Sequence, residues 1–159
     1  MIFRTIACTE AFDLNTVCRG DGFLFVRDGI GVAGRDTMCD VSESEAFSFL
    51  QSLVPSISTD TTLAHRGPIL FGLVPFSPHR PAEFVLPRIT FQKNDGEQPT
   101  VTLIGNSEDD VSDLNVSAAI ADAISAAPPR PHSNSYRVTP VTAIGHYLDA
   151  VTTVRDSVR

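Results

Sequence analysis

Four carboxylates fall within eight residues of this chain, Glu108, Asp109, Asp110 and Asp113 in the run NSEDDVSD, Asn106–Asp113. The run is the only candidate for a cation site, since carboxylate oxygens are the ligands that hard divalent ions take. Its spacing lacks the fixed Asp and Asn offsets, the glycine and the terminal Glu of an EF-hand loop, so a solvated loop is the better reading. Gly31 and Gly34, in G-I-G-V-A-G, have the composition of a loop that cradles phosphate. Arg-Asp-Thr-Met follows them in place of an apolar helix, which removes the context a dinucleotide fingerprint needs, and they read as marks of a bulge or of close strand packing. His65 beside Arg66 has the chemistry of an anion site, yet lies in the polar connection Ser56–Gly67 and reads, like His79, as solvated loop. Cys8, Cys18 and Cys39 are odd in number, widely spaced and without a C-x-x-C pair; neither a zinc site nor a disulfide framework is suggested, and they read as buried free thiols. The residues by themselves assign no catalytic, cofactor-binding or metal position.

The elements that would position such groups are centred on Pro68–Gln92, PILFGLVPFSPHRPAEFVLPRITFQ, two apolar runs separated by a proline-punctuated bend. Pro68–Val74 and Ala82–Gln92 read as core strands, too short to span a membrane and too rich in Val, Ile, Leu and Phe for solvent. Phe76–Pro81 between them carries prolines that cannot donate to a ladder and reads as an exposed turn. Upstream, Phe23–Arg27 and Ile30–Arg35 flank Asp28-Gly29, a pair favoured in two-residue type I′ turns, and form the clearest hairpin. Ile2–Cys8 fits a strand, and Phe12–Cys18 either a short helix or a loop.

Ser42 and Glu45 have capping-box spacing, Ala46, Phe49, Leu50 and Leu53 then repeat at helical intervals, and Pro55 ends that helix. Lys93-Asn94-Asp95-Gly96 turns the chain into a further strand, Thr100–Ile104. A second helix begins near Asp113, where the macrodipole favours the acids, and turns Ile120 and Ile124 to one side of Val116–Ala127. Ala127–Ser135, APPRPHSNS, has the composition of a linker. Thr139-Pro140 starts a last helix whose stripe, Val141, Ile144, Leu148, Val151, Val154 and Val158, is long enough to imply a partner surface. The expectation drawn from it is a chain that forms the N-terminal piece of a longer protein, with an N-terminal domain over 1–127, a linker over 128–136 and the first helix of a further region over 137–159.

With 159 residues the chain is long enough for one core, which would bury about two thirds of its unfolded surface. It is 42% hydrophobic and 19% charged, the balance of a folded protein. A net charge of −7 with a single lysine argues against nucleic-acid binding, which needs a basic face. Met1–Cys8 carries no apolar h-region or cleavage site, so a cytoplasmic protein without a membrane partner is expected.

Gly72-Leu73-Val74-Pro75-Phe76, followed by Arg80-Pro81-Ala82-Glu83-Phe84-Val85-Leu86-Pro87, resembles the G-x-x-P-F-x-x-x-x-P-x-x-x-x-x-P segment in the N-terminal half of isochorismate synthases, chorismate-utilising enzymes related to anthranilate and aminodeoxychorismate synthases. The Gly22–Arg35 hairpin with its Ala-Gly-Arg is similar to their early strand pair, and Ser135-Tyr136 with the helix from Thr139 resembles the start of their chorismate-binding region. The resemblance implies an Mg²⁺-dependent isomerase converting chorismate to isochorismate for siderophore, salicylate or menaquinone pathways. It also implies that the lysine base of a K-V-V-L-A-R-like strand, the glutamate acid and the magnesium-holding glutamates lie beyond Arg159. Lys93 sits in a turn motif and does not match that base, so no catalytic, metal or substrate residue carries over.

On this reading the chain is the non-catalytic portion, inactive alone and completed by the C-terminal catalytic half of the same protein. The alternatives are a stand-alone binding or regulatory module docking through the apolar face of its last helix, or part of another chorismate-utilising enzyme such as a salicylate or anthranilate synthase. The expected fold is α+β: a mostly antiparallel sheet with the helices from Ser42, Asp113 and Thr139 covering one face, like half of the family's layered architecture. An uncovered sheet face or terminal helix implies a homodimer when the chain is isolated.

Overall fold

The computed structural model describes residues 1–60, 62–63, 66–76, 79–125 and 144–157. The chain divides into two compact units, Met1–Ala127 and Pro128–Arg159. Unit one is α+β, built on a seven-stranded sheet.

The hairpin forms where the Asp-Gly turn demands it. β2 (Phe23–Arg27) and β3 (Ile30–Ser42) pair antiparallel with Arg27 opposite Ile30, and Asp28 and Gly29 take φ of 53° and 78°, the left-handed values of a type I′ turn. β3 runs seven residues past the expected Arg35 and is broken by an irregularity between Thr37 and Cys39. Its polar second half, Asp36–Ser42, carries no strand signal of its own; it is held there by pairing with β6 (Glu83–Lys93). β6 is the centre of the sheet. One edge meets β3; the other meets β5 (Phe71–Leu73) over Glu83–Val85 and β7 (Thr100–Gly105) over Ile89–Gln92. Pro87 is tolerated in so central a strand because it lies beside the β3 irregularity and between the ends of β5 and β7. β1 (Ile2–Ala7) is antiparallel to β7 and meets the two-residue β4 (Val54–Pro55) in the only parallel pairing among the described residues.

Two expectations, one about a strand and one about the helices, are corrected. Pro68–Val74 is not a core strand: only Phe71–Leu73 pairs, at an edge, and Leu73 and Val74 are exposed. Apolar content marked the segment as sheet but could not tell an edge from an interior position. The helices also do not share one face. α1 (Leu14–Cys18), begun by Asp13 accepting from the backbone N–H groups of Asn15 and Thr16, and α3 (Asp113–Ile124) cover one side. There Leu14, Val17, Val116, Ile120 and Ala123 bury Ala33, Ile89, Phe91, Val101 and Leu103. α2 (Ala46–Ser52) lies on the other side, with Leu53, Phe49 and Leu50 against Phe3, Leu86 and Ile104. Strand alternation separates the two clusters: Leu103 and Ile104 are neighbours in β7 and point to opposite faces.

The expected capping box at α2 does not close. Glu45 itself is the N-cap and makes no side-chain cap, while the Ser42 hydroxyl donates to the Glu45 carboxylate at 2.7 Å. Of the Ala46, Phe49, Leu50 and Leu53 stripe, Phe49, Leu50 and Leu53 turn inward. In unit two, α4 (Ile144–Ser157) presents Tyr147, Leu148, Val151 and Val154 as exposed side chains. The expected linker and the Thr139-Pro140 helix start lie outside the described residues. No helix among the described residues is long and apolar enough to cross a membrane.

Candidate functional site

The acidic run folds into a 3-10 turn, Asp109–Val111, ahead of α3, and its carboxylates disperse. Glu108 accepts from the Ser56 hydroxyl and, at 3.3 Å, from the Ile57 N–H. Asp110 accepts from the backbone N–H groups of Asn106 and Ser107 at 2.9 and 3.0 Å. The Asn106 bond in particular holds its carboxyl below the usual carboxylate range. Asp113 pairs with Arg4 at 2.5 Å, and Arg4 also donates to the Val111 carbonyl at 3.1 Å. Glu108 and Asp113 thus tie two distant segments to the turn, while Asp110 closes the turn on itself. Among the described residues no three His, Cys, Asp or Glu side chains gather where they could hold a metal, so the magnesium that the resemblance implies finds no ligand set in them.

Of the other sequence candidates, Arg66 and Lys93 are likewise taken up in structural contacts. Arg66 faces Glu97 at 2.5 Å and donates to the Gln98 carbonyl at 3.1 Å, while its neighbour His65 lies outside the described residues. His79 is exposed. Lys93 donates to the Phe12 carbonyl and lies 4.4 Å from the centroid of the Phe12 ring, pinning the segment before α1 to the end of β6. Cys8 and Cys18 are buried, Cys39 is half-buried, and all three are free. Burial pushes the Cys8 thiol up, the opposite of what a nucleophile requires.

The glycines serve close packing. At Gly31, with φ of 140°, an added Cβ would fall 2.0 Å from the Phe25 carbonyl oxygen. At Gly34 it would fall 2.6 Å from the Pro87 ring and 3.0 Å from the Phe71 ring; at Gly72, 2.5 Å from the Phe84 ring. The residues that carry the family resemblance therefore meet one another where β3, β5 and β6 join.

Two polar features were not legible beforehand. Arg35, Arg88, Asn115 and Asp122 line a cleft of about 220 Å³ between the sheet and α3, with Arg35 at 3.5 Å from Asp122. Asp36 and Asp122 offset the charge of the two guanidinium groups there, so the cleft favours neither anion nor cation. Threonines form a buried row across three strands: Thr90 is in register with Thr102, and Thr102 with Thr5. The Thr5 and Thr102 hydroxyls are 3.0 Å apart, and the buried Thr100 hydroxyl has no partner among the described residues. The T-V-T spacing of Thr100 and Thr102 was the available signal, but alternation reads equally as a solvent-facing row.

Comparison with known proteins brings no relative to set beside this geometry: no family model, no curated protein and no solved structure matches the chain.

Proposed function

We propose that the chain is the N-terminal, non-catalytic portion of an isochorismate synthase, the enzyme that interconverts chorismate and isochorismate for siderophore, salicylate or menaquinone synthesis. The supporting observation is the meeting of resemblance residues: Gly34 against Pro87, and Gly72 against Phe84. Spacing that suits a family for packing reasons is what a scaffold segment carries, and none of these side chains is a proton donor, an acceptor or a metal ligand. On this reading unit one supplies a sheet and its helices, while a C-terminal half of the same cytoplasmic protein supplies base, acid and Mg²⁺. The 159-residue chain alone then leaves chorismate unchanged, because the charged groups that stabilise the transition state are not in it.

The test is the intact mass of the product of the native gene, followed by a chorismate assay with Mg²⁺. A product of ~40–45 kDa that forms isochorismate, larger than one core of this kind reaches, supports the proposal. A native product of 17.1 kDa, or a long product acting on another substrate, overturns it.

A second reading has one observation in its favour. The apolar stripe of α4, Tyr147, Leu148, Val151 and Val154, is exposed and spaced for helix-in-groove recognition. A 17.1 kDa native product that loses a binding partner on Val151→Asp would favour a stand-alone module.

A further inference from the structure

β2 pairs with β3 on one side and with no described strand on the other. The open edge has no proline or bulge, and its only charge is the terminal Arg27, so little prevents another strand from adding there. Phe23, Phe25 and Arg27 alternate onto one face. The Phe23 ring lies 5.4 Å from that of Phe71, and Phe25 is 76% exposed. A groove of about 430 Å³ runs beside them, with Leu24, Phe25, Leu73 and Glu83 in its walls.

From this we propose that β2 and its groove form a two-fold contact with a second copy of the chain. Antiparallel pairing of two β2 strands about Phe25 sets the two Phe25 rings against each other and brings Arg27 of each copy opposite Phe23 of the other. Phe23 lines the groove that contains Glu83. The cation at the end of the strand thus meets the acid in the facing groove, and the two-fold axis makes that pair twice. Both side chains are exposed, and among the described residues Arg27 has only Asp28, at 3.7 Å, as an ion-pair partner. Leu24, Phe25 and Leu73 are exposed and line the groove, so they offer apolar surface to the contact, and the backbone of the edge strand adds its unpaired groups. A standard interface takes about 800 Å² per partner, so a contact built on these few side chains gives a concentration-dependent dimer. The contact does not depend on the enzyme reading.

Sedimentation of the 159-residue chain over a concentration series tests it. A dimer is expected whose dissociation constant rises at least ~30-fold in Phe25→Asp, a central aromatic contact. It rises roughly three- to tenfold in Arg27→Glu or Glu83→Arg alone, and returns towards the starting value in the double variant R27E/E83R. All three positions are exposed, so the fold tolerates the changes. A monomer at every concentration overturns the proposal, as does a dimer unaffected by Phe25→Asp or abolished instead by Val151→Asp in α4. Charge-swap losses that the double variant fails to restore also overturn it.

Discussion

Gly34 in β3 and Pro87 in β6 approach so closely that a methyl group on residue 34 would fall 2.6 Å from the proline ring, with the Phe71 ring 3.0 Å away on β5. Pro87 is buried and its ring cannot rotate aside. Gly34→Ala is therefore expected to destabilise unit one by about 1–3 kcal/mol through overpacking. The urea midpoint measures it, and a midpoint equal to wild type would mean that the three strands can separate freely at this junction.

The threonine row makes a prediction of opposite sign at two neighbouring positions. Thr100→Val removes a buried hydroxyl that has no partner among the described residues and is expected to raise stability by about 1 kcal/mol. Thr102→Val strands the Thr5 hydroxyl and costs ~1–3 kcal/mol, whereas Thr5→Val with Thr102→Val costs less than the two single changes added together. Melting curves of the four variants decide the point; an additive pair would show that the 3.0 Å contact contributes nothing.

Arg4 and Asp113 should not contribute equally to their ion pair. The Arg4 side chain is 12% exposed and also holds the Val111 carbonyl, while Asp113 is 92% exposed. Asp113→Asn is expected to change stability by less than ~0.5 kcal/mol, as exposed charges do. Arg4→Met leaves the Val111 carbonyl without that donor and costs about 1–2 kcal/mol. Chemical denaturation separates the two, and equal losses would mean that the charge, not the carbonyl bond, holds the turn.

Acid should weaken the fold from a known side. Asp13, through the Thr16 N–H first, and Asp110, through the Asn106 N–H first, are held below their ordinary carboxyl values. A lowered folded value gives stability that is present above the unfolded value, about 3.9, and lost as pH falls through the folded one. Urea midpoints should therefore respond to these two groups only below about pH 4–5. Asp13→Asn combined with Asp110→Asn should flatten that acid limb, and an unchanged limb would assign it to other carboxyls.

The Cys8 thiol should be visible only when the fold opens. It is buried, and desolvation raises its pKa, so the thiolate forms later than in the unfolded chain. Stability from the neutral thiol is full below the unfolded value, about 8.5, and is lost as pH rises through the folded one. Labelling with a thiol reagent near neutral pH should reach the half-buried Cys39 first and Cys8 at the rate of opening. Equal rates would contradict this.

Local chemistry was enough where a short stretch settles its own geometry. Asp28-Gly29 fixes its hairpin because both residues accept positive φ, and Leu50 and Leu53 face inward because a helix has only one apolar side. The packing role of Gly31 and Gly34 was readable from the absence of a following helix. What pairing supplies was not. Asp36–Ser42 is a strand because β6 lies beside it, and Pro68–Val74 shrinks to Phe71–Leu73 because its pairing with β6 covers only Glu83–Val85 and stops short of Pro87, which has no N–H to donate.

The carboxylates of Asn106–Asp113 look like one cluster along the chain. The turn's own N–H groups hold Asp110 locally, while Ser56 and Arg4 draw Glu108 and Asp113 away from it, and those two partners arrive only through long-range contacts. The sequence by itself thus determined the turns, the amphipathic helix and the α+β class, all of which follow from residues within a few positions of each other. Only the tertiary structure decided which strands are edges, which sheet face each helix covers and whether the charged residues converge, because each of these depends on distant residues competing for the same backbone edge, apolar face or hydrogen-bond donor.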